Sequence, residues 1–341
     1  MTGLANLSSF SFGPILIKVE KASNMEKRQL GKTSIRVAPL AFGGNVFGWT
    51  VDQDKSFELL DAFTGAGFEL IDTANSYSRW VPGNKGGESE TIIGNWMKSR
   101  HNRDRVIIAT KVGSDMGQGH RDISKVHILS AVEDSLRRLQ TDYIDLYQTH
   151  WDVDSVPVEE TLEAHAQLVN DGKVRFIGAS NFSPRRLRAS LDASRAHGYP
   201  RYESLQPSYN LFDRQEFETS LQKLCMEEGL GVINYYSLAS GFLTGKYRSE
   251  SDLGKSPRGN GIKKYLNDRG LRILAALDEV SCQYGLPQAA VSLAWLTAKP
   301  VITAPIASAT SISQLDTLIN GVSTRLSEEA LALLDNSSSY S

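Results

Sequence analysis

The feature that most constrains the fold of this chain is a repeated alternation of short β-rich segments and amphipathic helical segments. From Met25 onward, eight segments have the composition of strands: Leu40–Phe42, Glu69–Asp72, Val106–Lys111, Ile144–His150, Val174–Ser180, Ser204–Ser208, Gly231–Tyr236 and Val301–Pro305. Helical patterns lie between them, among them Asp54–Thr64, Glu88–Ser99, Ser124–Leu139, Val158–Asp171, Pro184–His197 and Glu216–Glu228. Strands joined by helical crossovers run parallel, and eight such repeats in roughly 280 residues have the size of a closed barrel.

The regions that flank the eight repeats carry other patterns. Lys27–Leu30 and Ile35–Val37 predict a small β-hairpin, and we expect extra helices at the C-terminal end. Residues 1–24 lack both the basic start and the small-residue cleavage site of a signal peptide. We therefore predict an α/β fold, a single (β/α)8 TIM-type barrel domain over residues 25–341, preceded by an unpatterned N-terminal extension over residues 1–24.

Composition disfavours several classes of partner. A net charge of -2 over 341 residues disfavours nucleic acid, because phosphate neutralisation needs a concentrated basic surface. No apolar run approaches the ~20 residues that a membrane helix needs. With only two cysteines, Cys225 and Cys282, a reducing compartment such as the cytoplasm is expected. A small molecule is the expected partner, and the sequence leaves the oligomeric state open.

An open, doubly wound sheet is the rival architecture, and it would normally carry a glycine-rich dinucleotide fingerprint after its first strand. Here the corresponding turn runs from Gly43 to Gly48. Asn45 stands in that turn where the middle glycine would let the backbone approach a pyrophosphate. The fingerprint therefore fails, and the barrel is favoured.

Four chemically complementary residues follow three consecutive predicted strands. Asp72 ends the second strand, Tyr77 follows in the next loop, Lys111 ends the third strand and His150 ends the fourth. Reactive residues of such barrels stand at the C-terminal ends of the strands, so these four side chains should converge. Each also has a structural explanation, such as a helix cap, a solvated strand end or a buried histidine, but the four together favour one catalytic site.

These residue types suit the reduction of a carbonyl group without a metal. When hydride reaches the carbonyl carbon, the oxygen becomes negative and needs a proton, which Tyr77 would supply. A tyrosine pKa of ~10 is high for this task, and the Lys111 ammonium should lower it. Asp72 would hold Lys111 in place, and His150 would hydrogen-bond the substrate oxygen.

The segments that carry these residues resemble the three active-site motifs of the aldo-keto reductase family. They are Glu69–Tyr77, Ile108–Lys111 and Leu146–Trp151, and the similarity extends from about Lys27 to Asp335. The resemblance implies an NADP(H)-dependent oxidoreductase that reduces an aldehyde or ketone to an alcohol. In that reading Tyr77 is the general acid.

The resemblance also implies cofactor contacts from the later strand ends and their loops. Ser180, Asn181 and Gln206 would hydrogen-bond the carboxamide, and Tyr235 would stack on the nicotinamide ring. In the pyrophosphate segment the chain has Tyr236-Ser237 where Ser-Pro is usual. The expected set is Gly44, Asn45, Ser180, Asn181, Gln206, Tyr235, Tyr236, Ser237, Leu238, Ser240, Gly241, Lys246, Arg258, Ile306, Ser308, Thr310 and Gln314.

The choice between NADPH and NADH depends on the loop after the eighth strand. Ile306–Ser311 and Gln314 resemble the segment that receives the adenosine phosphate, and a helix that begins there offers an anion site. The arginine often found in this loop is absent, and Thr317-Leu318 replaces an acid-amide pair that often contacts adenine. We expect NADPH, with NADH bound less tightly, and Arg258 as a further source of positive charge.

Two loop features should border the substrate. Four aromatic residues are predicted to form an apolar substrate wall at the barrel mouth: Phe47, Trp49, Trp80 and Trp151. The long segment Tyr247–Asn267 could act as a lid over the cofactor phosphates or could be a solvated surface loop. Its basic residues are Lys255, Arg258, Lys263 and Lys264.

Two other functions remain open at the level of sequence. A protein of this fold could bind the nicotinamide cofactor as a regulatory subunit of a membrane complex and turn over slowly. A barrel isomerase or aldolase could instead use Lys111 as a Schiff-base nucleophile. The second alternative leaves Ser180, Asn181 and Gln206 without a purpose.

Overall fold

The computed structural model describes residues 25–340, and within them a parallel eight-stranded barrel forms the centre of the molecule. Arg28–Gln29 (β1) and Arg36–Val37 (β2) pair antiparallel in a hairpin. The barrel strands are Ala41–Gly43 (β3), Leu70–Asp72 (β4), Ile107–Val112 (β5), Ile144–Thr149 (β6), Val174–Ser180 (β7), Tyr202–Gln206 (β8), Gly231–Val232 (β9) and Ile306–Ala307 (β10). The predicted parallel barrel with an N-terminal hairpin is confirmed. The expected extension over residues 1–24 lies outside the described residues.

Ten helices surround the barrel in the described part of the chain. They are α1 (Gln53–Gly65), α2 (Glu88–Arg100), α3 (Lys125–Leu139), α4 (Val158–Asn170), α5 (Pro184–His197), α6 (Gln222–Glu228), α7 (Asp268–Tyr284), α8 (Gln288–Thr297), α9 (Ile312–Ser323) and α10 (Glu328–Ser337). A π-helical turn at Phe217–Leu221 leads into α6. Among residues 25–340, no helix is long and apolar enough to cross a membrane.

The eighth barrel strand lies later in the chain than the sequence predicted. Val301–Pro305 was expected to be that strand, but the strand that pairs with β3 is β10, where Ile306 lies opposite Ala41. Pro305 has no amide hydrogen and serves only as an acceptor, its carbonyl bonding the Ala41 amide at 3.0 Å. Residues before it close the barrel on the other side, because the Thr303 amide donates to the Val232 carbonyl at 2.8 Å.

Alternation along the strands separates an inner core from an outer one. On β6, Leu146 belongs to the cluster inside the barrel, whereas Tyr147 belongs to the larger cluster between strands and helices. The hairpin contributes Leu30 to the inner cluster, and a Cβ at Gly231 would lie only 2.7 Å from that leucine. Apolar side chains thus fill the N-terminal end of the barrel. The polar residues that point into the barrel lie at the C-terminal ends of the strands.

Candidate active site

The floor of the barrel opening is a network of charged and amide side chains from four strands. Lys111 on β5 is fully buried, and its Nζ lies 2.6 Å from Oδ2 of Asp72 on β4. The other oxygen of Asp72 accepts from Gln148 Nε2 at 3.2 Å and from Gln206 Nε2 at 2.9 Å. All four residues occupy inward positions at strand ends, so backbone register alone brings them together.

Tyr77 reaches this network from the loop between β4 and α2. Lys111 Nζ donates to the Tyr77 hydroxyl at 3.2 Å and to the Thr73 carbonyl at 2.8 Å. The start of α2 fixes the loop, because the Glu88 carboxylate accepts from the Ser78 amide at 3.2 Å and the Gly86 amide at 3.0 Å. The phenol is therefore held beside the buried ammonium by backbone contacts of its own loop.

The net shift of the Tyr77 pKa is opposite to the direction expected from the sequence. Burial raises the pKa of the phenol above its ordinary value, and the nearby Lys111 ammonium offsets only part of that rise. Spacing along the chain indicates which charge is nearby, but it does not reveal how much water is removed from the hydroxyl. Lys111 thus stabilises the phenolate within an environment that disfavours it.

Lys111 itself is held in its charged form. Burial alone would lower its pKa, but Asp72 and Tyr77 outweigh this cost, and the pKa of the ammonium lies above its ordinary value. The side chain is completely buried and its three donors meet Asp72, Thr73 and Tyr77. A Schiff-base nucleophile must be neutral and accessible, so this geometry disfavours the isomerase or aldolase alternative.

His150 stands on the other side of the tyrosine. Its ring centre lies 6.1 Å from that of Tyr77, and its Nδ1 lies 2.8 Å from the Ser114 hydroxyl. Burial, followed by the charges of Lys111 and Arg121, holds the pKa of His150 well below its usual range. The imidazole is therefore neutral near pH 7. If Ser114 donates to Nδ1, the imidazole carries its hydrogen on Nε2, which can then donate to a substrate oxygen.

The residues expected to hold a carboxamide form a connected group beside this network. Asn181 has a left-handed backbone (φ 57°), and its Nδ2 donates to the His150 carbonyl at 2.9 Å and to Ser180 Oγ at 3.1 Å. Its Oδ1 accepts from the Tyr235 hydroxyl at 2.7 Å. Because Gln206 Nε2 donates to Asp72 and to Gln148, the Gln206 oxygen is the atom left for a ligand. Amide oxygens here suit a carboxamide NH₂.

One continuous cleft of about 1070 Å³ connects the floor with the loops after β9 and β10. Asp72, Tyr77 and His150 line it, whereas Lys111 is buried behind the lining. The predicted cofactor and substrate residues that line it are Asn45, Trp49, Trp80, Trp151, Ser180, Asn181, Gln206, Tyr235, Tyr236, Ser237, Leu238, Ser240, Gly241, Lys246, Arg258, Ile306, Ser308, Thr310 and Gln314.

Two of the predicted cofactor and substrate residues do not line the cleft. Phe47 was expected in the substrate wall, but it is fully buried and stacks on Phe42 with ring centres 5.3 Å apart, so it belongs to the outer core. Gly44 was expected to contact the cofactor, but it packs toward α2, where a Cβ would lie 2.8 Å from Ser89 Oγ. Its neighbour Gly43 lines the cleft instead.

The charge of the lining suits a ligand with phosphate groups. Among the described residues that line the cleft, the cations are Lys246, Lys255 and Arg258, and the one carboxylate is Asp72, which Lys111 neutralises. Ser240 (φ 58°) and Gly241 (φ 101°) follow Leu238 in a left-handed turn, a backbone form that commonly makes anion-binding concavities. The residues present therefore fit a nicotinamide dinucleotide.

The segment Tyr247–Asn267 was expected to be a lid or a surface loop, and its basic residues lie in two different environments. It forms short 3₁₀ helices at Glu250–Lys255 and Gly259–Tyr265. Lys255 and Arg258 line the cleft, whereas Lys263 pairs with Glu250 and Lys264 lies over a tyrosine ring.

Arg258 ties this segment to the opposite side of the cleft. With the Asn45 amide nitrogen directed to Ser308 Oγ (2.7 Å), the Asn45 oxygen accepts from Arg258 Nη2 at 3.2 Å. The Arg258 guanidinium also lies 5.1 Å from the ring centre of Trp49. These contacts join Arg258 to the loop after β3, and Asn45 in turn joins that loop to Ser308 after β10.

Sequence reasoning missed several lining residues. Ser114, the hydrogen-bond partner of His150, lies three residues after Lys111, directly beyond the Gly113 turn (φ 103°), and that turn could have indicated it. Pro287 and Ala289 reach the cleft from the start of α8. Nothing in their local sequence distinguishes them from ordinary helix-start residues, because only the packing of α8 brings them there.

Comparisons with known proteins agree with this architecture. A family model described as the aldo/keto reductase family matches residues 39–339. The chain is 30% identical to Protein tas of Escherichia coli (strain K12), over 91% of this chain and 97% of that protein. It is 34% identical to the uncharacterized oxidoreductase YrpG of Bacillus subtilis (strain 168), over 92% and 95% of the two chains, and 34% identical to the aldo-keto reductase YhdN of the same organism, over 86% and 88%. The chain therefore belongs to the aldo/keto reductase family of oxidoreductases, whose members generally use nicotinamide cofactors.

Proposed function

We propose that this protein reduces an aldehyde or ketone to an alcohol with NADPH, and that Tyr77 is the general acid. The observation that carries the proposal is the position of the Tyr77 hydroxyl. It lies 3.2 Å from a buried ammonium and at the floor of a cleft whose unpaired charges are positive. A proton donor and a site for an anionic dinucleotide thus share one cavity.

When bound, the nicotinamide supplies a hydride to the carbonyl carbon. The chain then has to manage the charge that develops on the carbonyl oxygen. Tyr77 transfers its hydroxyl proton to that oxygen, and the phenolate left behind is stabilised by Lys111 Nζ through their hydrogen bond. Asp72 keeps the ammonium protonated and oriented, so the positive charge is in place before the proton moves.

His150 orients the substrate oxygen toward Tyr77. Its neutral imidazole can donate one hydrogen bond from Nε2 without competing as a stronger acid, since burial keeps its pKa far below the working pH. Ser114 holds the other nitrogen at 2.8 Å and thereby fixes the ring. Trp49, Trp80 and Trp151 line the outer part of the cleft and exclude water from the face of a flat substrate.

Different residues of the chain would hold the two ends of the cofactor. Ser180, Asn181 and Gln206 would hold the carboxamide near Tyr77, and Tyr235 would pack against the ring. Lys246 and Arg258 would supply the positive charge that a pyrophosphate needs, whereas Lys255 is paired with Asp252 at 2.7 Å. Ser308, Thr310 and Gln314 would receive the adenosine end. The choice of NADPH over NADH follows from the family resemblance and from the start of α9 at the adenosine end.

A cofactor titration combined with a turnover assay tests this function. Tryptophan fluorescence would be followed as NADPH or NADH is added, and the enzyme would then be given a panel of aldehydes and ketones. We expect saturable binding of NADPH and many turnovers per enzyme with at least one substrate class. Tight cofactor binding with only a slow single turnover would contradict the proposal and favour a regulatory cofactor-binding role.

A further inference from the structure

An exposed arginine that packs on a residue of the cleft lining, without lining the cleft itself, is not explained by the chemistry proposed above. Arg121 lies in the loop between β5 and α3, and its guanidinium carbon is 3.8 Å from the ring centre of Trp151. Trp151 lines the cleft and stacks on His150 with ring centres 5.8 Å apart. The guanidinium is therefore separated from the reacting end of the cleft by a single aromatic ring.

The charge of Arg121 is not neutralised by a carboxylate of the described chain. Its own loop contains Asp115, whose Oδ1 accepts from the Gly117 and Gly119 amides at 2.7 and 3.1 Å. It also contains Asp122, which accepts from the Ser124 amide at 2.8 Å. Within residues 25–340, Arg121 itself makes no ion pair.

The carboxylates that follow Trp151 are occupied as well. Asp152 pairs with Arg186 at 2.8 Å, and Asp154 pairs with Arg185 at 2.8 Å. An arginine that stacks on an aromatic face keeps the N–H groups at its edge free, and two of them match the spacing of a carboxylate. The positive charge also acts on the reacting end, since it is one of the causes, after burial and Lys111, that lower the pKa of His150.

We infer that Arg121 selects carbonyl substrates that carry an anionic oxygen group, such as a carboxylate, distant from the carbonyl. The inference rests on the proposed function and adds a substrate class to it. The flat part of such a substrate would lie along the edge of Trp151, because the guanidinium covers one face of that ring. The carbonyl would face Tyr77 and His150, and the anionic end would meet the guanidinium edge.

The test compares two substrates of nearly equal shape, 4-carboxybenzaldehyde and the neutral 4-carbamoylbenzaldehyde. For the unaltered enzyme we expect kcat/KM to favour the carboxylate by about tenfold, mainly through KM, as a charge-assisted bidentate contact would give. Arg121→Gln should remove this preference while leaving kcat/KM for the neutral aldehyde within about twofold. Arg121→Lys should retain part of it, because it keeps the charge but loses the planar fork.

Arg175→Gln is the matched control, since Arg175 is an exposed arginine near the ring of Tyr143 at the start of β7, away from the cleft. It should not alter the ratio of the two aldehydes. An unaltered enzyme without preference, or an Arg121→Gln variant that slows both aldehydes equally, would overturn the inference.

A binding measurement separates this inference from the proposed function. Terephthalate and terephthalamide would be titrated by tryptophan fluorescence in the unaltered protein and in Arg121→Gln. If terephthalate binds more tightly only when Arg121 is present, anion selection stands even if no aldehyde is reduced, and the proposed function alone fails. If reduction is robust but neither assay distinguishes the charged from the neutral compound, the inference alone fails.

Discussion

The floor and the mouth of the cleft are built in different ways. The floor consists of side chains held near strand ends: Asp72, Tyr77, Lys111, Gln148 and Gln206. The mouth consists of residues from 43–50, 237–258 and 306–314, which lie mostly in the loops after β3, β9 and β10. Floor groups are bonded to one another by short hydrogen bonds, and Asp72, Lys111, Gln148 and Gln206 are buried. Mouth groups are cations and hydroxyls that are partly exposed and joined through few contacts, such as that between Arg258 and Asn45.

This difference predicts a division of labour. Charges in a water-poor floor interact strongly and are barely screened, so changes there should alter kcat and its pH dependence. Charges at the mouth are screened by salt and bind a flexible ligand, so changes there should alter cofactor affinity and its salt dependence. A floor variant that changes only cofactor affinity, or a mouth variant that changes kcat, would show that the two regions are not separate.

The largest effect is expected for Tyr77→Phe. Loss of the hydroxyl removes the general acid, so kcat for carbonyl reduction should fall by roughly 10²–10⁴-fold. The cofactor Kd should stay nearly unchanged, because the phenol is bonded to Lys111 on the floor. Steady-state kinetics and a fluorescence titration measure both quantities. Tyr143→Phe, at the other end of the barrel, is the control. Near-normal turnover in Tyr77→Phe would refute the assignment of the acid.

The variant Lys111→Met should change the pH dependence of the reaction as well as its rate. Burial already raises the pKa of Tyr77, and Lys111 is what lowers it, so the variant should raise the phenol pKa further. The weaker acid should slow reduction by roughly 10²-fold, and alcohol oxidation, which needs the phenolate, should begin only at higher pH.

The control for Lys111→Met must also remove the Asp72 carboxylate, which loses its partner when Lys111 is replaced. An unpaired buried carboxylate is strongly destabilising, so Asp72→Asn/Lys111→Met should restore thermal stability without restoring rate. If the pH profile of Lys111→Met keeps its midpoint and only its height falls, then Lys111 does not tune the acid.

At the mouth, NADPH should bind more tightly than NADH by roughly 10–100-fold. The preference is modest because the loop that holds Ser308, Thr310 and Gln314 contains no arginine to grip the extra phosphate. It should shrink at high ionic strength, since a partly exposed phosphate contact is screened. Dissociation constants for both cofactors at low and high salt measure this. Equal affinities, or tighter binding of NADH than of NADPH, would mean that the loop recognises the ribose hydroxyl.

The smallest effect is expected for Arg258→Gln. The variant removes one cation of the lining and its contact with Asn45, so NADPH affinity should fall about tenfold, most clearly at low salt. Lys263→Gln, in the same segment but paired with Glu250, should leave affinity unchanged. A loss of kcat in Arg258→Gln with unaltered affinity would place this arginine with the chemistry of the floor.

The same contrast explains how far sequence could predict the site. Strand alternation and the shared C-terminal edge of a parallel barrel fix where Asp72 and Lys111 meet, so their proximity follows from pattern alone. Mouth residues depend on how loops pack. Phe47 packs in the outer core against Phe42, and the eighth strand begins only after Pro305, and local composition reveals neither feature.

The electrostatics of the site were less predictable than its geometry. Sequence indicated that a lysine would lie beside Tyr77, and it does. It did not reveal that burial would outweigh the lysine and raise the phenol pKa, because desolvation depends on every neighbour of the hydroxyl. Ser114 is a different case, because the Gly113 turn that brings it to His150 is a signal in the sequence that was not used.

The most direct test of the proposed chemistry is transfer of a labelled hydrogen. The enzyme would be given an aldehyde and, in separate reactions, NADPH deuterated on one or the other face of C4. If Asn181 and Gln206 hold the carboxamide as proposed, the nicotinamide presents one face to the substrate, and we expect deuterium at the former carbonyl carbon from one face only. Alcohol without deuterium from either face, or no alcohol despite saturating cofactor, would contradict direct hydride transfer in this cleft.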